Sequence, residues 1–445
     1  MQLNTSYRQI LSISFPIMLG SAAQNVIALS DSVFLYHLSV EDFAAIGFVG
    51  VFYLVIAAIG YGFSRGGQIM IARRVGESRP EEVGRTFYAM VYYEFALSII
   101  MFFFLHYGCY YFFQLFTNSP LIFSKSLEYL EYRSWGVFFS YTGVAIVALY
   151  TGIARTRFII VDTAILAIVN IVLDYGLVFG HWGLPAMGIA GAGLASTISE
   201  MVAFIVFVIY ILLDPKARFY HLFKLPKIDF KLIRQQYRLS APIVLQAFVG
   251  LGSWFVFFGI VENLGERPLA ITNLVRMVYL VLSIPCWGFA SGVNTLVSNF
   301  IGQRKRQAVI PIIWKTAKIS WLTTMVLTLP VVLFPQEFLY PLLGSGNSEL
   351  IQQARPIFYV LVGILTFFSI GGVFFNGLAG TGATYMGLKI QFYCAVFYLL
   401  YIYIVVNYTN GGLIWAWAAE IFYWMLMLFF IIWYLRSKRW YTLRV

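Results

Sequence analysis

GFSRGGQIMIARRVGE (62–77) and GFASGVNTLVSNFIGQ (288–303) are one segment met twice, 226 residues apart. The register runs without a gap from Ser14 to Val83. It lays SFPIMLGSAAQ (14–24) on SAPIVLQAFVG (240–250), and it pairs Pro16 with Pro242, Tyr53 with Tyr279, Gly66 with Gly292 and Gly76 with Gly302. A fainter echo pairs TGIART (151–156) with NGLAGT (376–381). The chain is an internal duplication.

Composition says what kind of unit is duplicated. Of 445 residues, 60% are hydrophobic and 11% charged, against about 25% charged in soluble domains. Mean hydropathy is +0.80. Such a chain cannot cover a water-soluble globule with polar surface. Soluble enzymes, disordered chains and disulfide scaffolds are excluded. A β-barrel would show short alternating strands, whereas these apolar runs are long and continuous. The expectation is an all-α membrane protein of about twelve spans: 10–37, 44–71, 86–113, 127–153, 158–180, 188–213, 236–262, 269–300, 310–334, 354–379, 385–407 and 412–435. The first run is too long for a cleavable signal, holds Asp31 and lacks an A-x-A site. Cys109, Cys286 and Cys394 lie far apart inside apolar runs and read as packing residues.

Placed between these spans, twenty-four of the 30 basic residues fall on one side. Lys125, Arg133, Arg267 and Arg355 fall on the other, and Arg65 and Arg276 fall inside spans. Basic loops stay cytoplasmic, so both termini are expected inside. The net charge of +11 is then topology and contact with anionic lipid, without nucleic acid as a partner. The expected divisions are an N-terminal six-helix lobe (1–213), a basic, aromatic, amphipathic linker along the headgroups or a plain tether (214–235), and a C-terminal six-helix lobe (236–445). Six spans per copy make the repeat parallel, about a pseudo-two-fold along the membrane normal. Two such lobes point to transport by alternating access.

Charged groups inside spans are costly and usually functional. Asp31 lies in QNVIALSDSVFLYHL and Asp174 in AILAIVNIVLDYGLVFG, four residues after Asn170. That spacing puts Asn170 and Asp174 on one helix face. Two carboxylates and an amide suit a proton or a sodium ion; the alternative is a polar cluster that only locks helices together. The second copy lacks it, with Phe257 and Leu399 at the corresponding places. Glu200 and Glu420 are further intramembrane acids, the first a third acid near the first-lobe site, the second facing a cationic ligand or Arg276. Glu94 lies near enough to a span end to snorkel. Arg65 needs a counter-ion. Gln24, Tyr150, Trp254 and Tyr279 join Glu200 and Glu420 as candidates for lining a substrate cavity. Pro16 and Pro242 each remove a backbone bond within a span, as a hinge or as a static kink.

Five stretches carry a resemblance over nearly the whole chain: FPIMLGSAAQNVIALSDSVFLYHLS (15–39), GGQIMIARRVGE (66–77), TGIARTR (151–157), NIVLDYGLVFG (170–180) and GIAGAGLASTIS (188–199). With the repeat, they make the chain similar to the multidrug and toxic compound extrusion (MATE) family of the MOP superfamily. The resemblance implies a two-lobe, twelve-helix antiporter that exports amphipathic, often cationic compounds against protons or sodium. Its acidic cluster maps onto Asp31, Asn170 and Asp174, and its kinking proline onto Pro16. The sodium-type branch carries a glutamate eight residues after the second-lobe proline, where this chain has Gly250. The chain looks closer to the branch of DNA-damage-inducible efflux proteins.

These readings combine into an inner-membrane drug antiporter, monomeric and embedded in lipid. It has no cofactor and no resident metal, and a proton or sodium gradient drives it. The competing reading is a flippase for lipid-linked oligosaccharides or polysaccharides, which would more often carry a cluster of cavity cations. An intramembrane enzyme would need a nucleophile or metal motif, and neither HExxH nor GxSxG occurs.

Overall fold

The structure is a computed structural model, and it describes residues 3–116, 119–343, 348–409 and 411–443. In chain order the helices are α1 (Tyr7–Leu38), α2 (Val40–Gly76), α3 (Pro80–Phe103), α4 (Cys109–Phe116), α5 (Pro120–Gly152), α6 (Arg157–Phe179), α7 (Ile189–Leu213) and α8 (Phe230–Glu262). They continue as α9 (Glu266–Leu282), α10 (Ile284–Gly302), α11 (Val309–Leu333), α12 (Pro335–Leu343), α13 (Ser348–Gly380), α14 (Thr384–Tyr408) and α15 (Gly412–Arg436). A π turn at Phe104–Gly108 joins α3 to α4. Helix is what a chain in lipid must form, because only helix satisfies every backbone group within the segment.

Among the described residues, eleven helices are long and apolar enough to cross a membrane, and the pair α9–α10, bent by 44°, passes the same test taken together. The twelve expected spans are these. The bend has a local cause. Pro285, at the start of α10, cannot donate to the carbonyl four residues back, and its ring crowds that carbonyl. At the matching place in the first copy stands Ile59, and α2 runs through unbroken. Pro16 and Pro242, by contrast, lie inside helices that continue past them.

The chain divides into two compact units. One is Leu19–Val244, and the other joins Gln2–Met18 to Leu245–Val445. Each therefore holds part of α1 and part of α8. Within the first, the Ser240 hydroxyl donates to the Phe63 carbonyl at 2.8 Å. A Cβ on Gly66 would come within 1.9 Å of that same Ser240 Oγ. Within the second, a Cβ on Gly292 would come within 2.2 Å of Ser14 Oγ. Gly66 and Gly292 are repeat partners, as are Ser14 and Ser240, so the duplication holds at the level of one close contact. The first unit has two apolar cores, one around Val49, Phe113 and Tyr141, the other around Ile71, Met90 and Tyr150. The second is built around Phe257, Phe358, Leu361 and Trp417. The three cysteines are buried and free.

The segment before α8 packs against the rest of the first unit. Residues 215–223 form successive turns, and Ala217, Tyr220 and Leu222 are buried against Phe87 and Tyr150. Asp214 pairs with Arg155, Tyr88 donates to the Leu222 carbonyl, and Tyr92 donates to that of Pro226 at 3.1 Å. Asp229 accepts from the Leu232 and Lys231 backbone N–H groups at 3.1 Å each and from Arg85 at 2.9 Å. The Leu232 N–H above all, with Arg85, holds the Asp229 carboxyl below the usual carboxylate range. Gly84 leaves room for this docking, because a Cβ there would sit 2.4 Å from the Tyr220 carbonyl oxygen. Gly84→Val is expected to lift the segment and to raise the rate of tryptic cleavage between Lys216 and Lys231 several-fold. A wild-type cleavage pattern would show that the docking tolerates the side chain.

Candidate functional site

Asp31 comes from α1, and Asn170 and Asp174 come from α6 one turn apart. All three lie in the first unit, and all three are buried. The structure brings them together, with the Asp31 carboxyl against the Asp174 carboxyl and the Asn170 side chain. Their oxygens are short of donors. Asp31 Oδ1, both Asp174 carboxylate oxygens and Asn170 Oδ1 are buried with no hydrogen-bond donor. One N–H of the Asn170 amide donates to Ser196 Oγ at 3.4 Å. A buried acceptor without a donor is costly, and a buried charge without a partner more so. Four such oxygens in one place have the chemistry to accept something positive. A shared proton would supply the missing donor; a hard cation such as sodium would take the same oxygens as ligands. Among the described residues no group of three or more His, Cys, Asp or Glu is placed to hold a metal ion.

A protein cation stands beside this cluster and is otherwise engaged. Arg133 lies within electrostatic reach of Asp31. Its two terminal nitrogens both donate to Glu200 on α7, at 2.7 and 2.6 Å, and its guanidinium lies 4.0 Å from the centre of the Tyr53 ring. Gly136, one turn along α5, makes room for this fork, since a Cβ there would lie 2.2 Å from Arg133 Nη1 and 2.7 Å from Glu200 Oε2. Tyr129, a turn earlier on α5, feels Asp31, Asp174, Arg133 and Glu200 together. Arg133, counted above with the charges of the outer side, is a buried side chain well inside α5. Arg133 takes both oxygens of Glu200.

The other expected residues scatter. Gln24 is exposed on α1. Tyr150 is fully buried and donates to Asp214 Oδ2 at 3.3 Å; it packs beneath the docked linker and has no surface to offer a ligand. Trp254 and Tyr279 stack at 5.5 Å in the core of the second unit. Glu420, in that same unit, accepts from the Tyr398 hydroxyl at 2.8 Å. Arg276 lies 5.2 Å from the Phe258 ring, and its Nε has no partner, so it does not neutralise Glu420. Phe257, which stands where Asp31 would repeat, packs 5.4 Å from Trp417. Leu399 packs on the same core. Apolar packing thus occupies in one unit the place that carboxylates hold in the other. Glu94 does not snorkel: it is fully buried and accepts from Ser64 at 2.7 Å. Arg65 has Tyr61 for a neighbour.

One acid was missed. Asp162 is buried, and its Oδ1 has no partner. It lies eight residues before Asn170, on the same face of α6. The signal was available, since Asp162 lies inside the expected span 158–180 at the four-residue spacing 162, 166, 170, 174.

Comparison with known proteins agrees with this architecture. A family model described as MatE matches residues 16–176 and 242–409. The chain is 23% identical over 438 residues to a protein of Thermotoga maritima described as "Probable multidrug resistance protein NorM", covering 93% of this chain and 89% of that one. It is 28% identical over 286 residues to a protein of the same description from Agrobacterium fabrum, covering 63% and 60%. Among solved structures it resembles one titled "Outward-facing conformation of a multidrug resistance MATE family transporter of the MOP superfamily". The TM-score is 0.88 at 18% identity, over 97% of this chain and 95% of that one. A transporter of Pyrococcus furiosus, titled for the reverse polarity of its binding pocket, gives 0.85 at 18% identity over the same shares. Matched by the family model in both of its repeats, the chain belongs to the MatE family, a family of multi-pass membrane transporters and not of enzymes.

Proposed function

We propose that this protein is an antiporter that exports amphipathic, often cationic organic compounds across the cell inner membrane. The return of a proton or a sodium ion drives it, both termini are cytoplasmic, and the monomer is complete. The observation that carries the reading is the set of four buried, donorless oxygens of Asp31, Asn170 and Asp174. The names of the relatives as multidrug resistance proteins support the substrate class. The coupling ion loads the cluster and neutralises the two facing carboxylates. Loaded and empty states then differ in charge inside a low-dielectric unit, and that difference is what can bias an alternating-access equilibrium. Asp31 and Asp174 carry the charge, and Asn170 supplies a neutral oxygen.

The test is ethidium efflux from proteoliposomes, with a proton gradient and a sodium gradient imposed in turn. Efflux driven by one gradient supports antiport and names the ion. Efflux driven by neither, from folded protein, overturns the reading and directs the search to lipid-linked oligosaccharides.

A further inference from the structure

We infer that Glu200 is a positioning residue for ion coupling: by holding Arg133 it withholds a protein cation from Asp31 and Asp174, so that their counter-charge must come from outside. The inference rests on the antiport reading above.

The argument is one of competition. Two facing carboxylates with donorless oxygens are a natural partner for a buried guanidinium. Arg133 is within electrostatic reach of Asp31, and an arginine fork can grip a carboxylate with two parallel bonds. If Arg133 gripped Asp31 or Asp174, the cluster would be neutralised from within and would have little need of a proton or sodium ion. Glu200 prevents this. It takes both terminal nitrogens of Arg133 at 2.7 and 2.6 Å, while Tyr53 covers the guanidinium at 4.0 Å. The space for the fork depends on a glycine at 136. The groups facing Arg133 come from every side: Glu200 on α7, Tyr53 on α2, Tyr129 on its own helix and Asp31 on α1. Of these, Glu200 is the one that holds it by direct bonds.

The proposal makes a prediction of sign. Glu200→Gln releases Arg133 towards the carboxylates, which then hold an external cation less well. Arg133→Gln leaves Glu200 as a third unneutralised acid, and the external cation is held better. One charge at close range shifts a neighbouring ionisation by about one to three pH units, or tenfold and more in concentration.

The experiment measures the concentration of the driving ion that gives half-maximal ethidium efflux, using whichever gradient drives the wild type. Glu200→Gln is expected to raise it at least about tenfold, Arg133→Gln to lower it, and the double variant to return it to within about threefold of wild type. Thermal midpoints are taken alongside. A role confined to holding helices together would lower stability and rate in both single variants alike, without opposite shifts in that concentration. Equal shifts, no shift in folded protein, or a double variant no closer to wild type than Glu200→Gln overturns the inference. Should one single variant fail to fold, the other carries the same test of sign. Failure of the antiport reading looks different, because the wild type then responds to neither gradient.

Discussion

Asp31→Asn is expected to lower gradient-driven export at least tenfold in proteoliposomes while the protein stays folded. The amide keeps the size of the side chain and removes its charge. Neither the loaded nor the empty cluster then differs by a full unit of charge at this position, and the coupling ion loses most of its influence on the conformational equilibrium. Stability should move the other way. Asp31 and Asp174 face each other with buried, donorless oxygens, an arrangement that costs free energy when both are ionised. An asparagine at 31 brings an N–H donor to Asp174 and removes that repulsion. The thermal midpoint of Asp31→Asn should therefore equal or exceed that of the wild type. Asp174→Asn should behave in the same way. A variant that exports at the wild-type rate would falsify the assignment, and one that unfolds would show that the cluster is a structural lock.

The second large effect concerns α7. Two of its glycines face backbone on opposite sides. A Cβ on Gly191 would lie 2.6 Å from the Leu177 carbonyl oxygen of α6, and a Cβ on Gly193 would lie 2.5 Å from the Tyr129 carbonyl oxygen of α5. Backbone cannot swing aside as a side chain does. Gly191→Ala and Gly193→Ala should each cost about 1–3 kcal/mol through overpacking, read as a lower midpoint in thermal unfolding followed by tryptophan fluorescence. Gly193→Ala should also impair export, because it displaces Tyr129 beside the acidic cluster. Gly143 in α5 is the control. Nothing lies within 4 Å of its Cβ position, and Gly143→Ala should be neutral or stabilise by about 0.5–1 kcal/mol through helix propensity. If all three behaved alike, close packing of α7 would not be what the glycines provide.

Much of this was readable in the chain because the bilayer is a demanding solvent. It sets the length of apolar runs, so the spans appeared almost residue for residue, as in the run 188–213 and α7 at Ile189–Leu213. It also expels charge, so Asp31 and Asp174 stood out, and the spacing to Asn170 gave their shared face. Arg133 failed for an equally physical reason. It sits in KSLEYLEYRSWG, near the start of the expected span 127–153, and was counted with the charges of the outer side, although this stretch lies within the first half of α5. Its partner Glu200 is 67 residues away, and no local pattern announces such a pairing. Tyr150 looked like one aromatic among many, and only the docked linker explains its burial. The bend before Pro285 was visible as a proline, but a proline alone did not separate it from Pro16 and Pro242, which their helices absorb.

The division of α1 and α8 between the compact units bears on how the protein is made. The part of α1 that ends at Met18 is synthesised long before Leu245–Val445, the segment it packs with. Leu3 bonds Asn299 and Gln303, and the Thr5 carbonyl accepts from Lys315 at 2.6 Å. This part of α1 must therefore wait for the second repeat to be synthesised before it finds its neighbours. The first unit in turn is incomplete until Val244 has emerged. Cutting the gene within the linker would yield two pieces, each lacking part of its own unit and carrying part of the other.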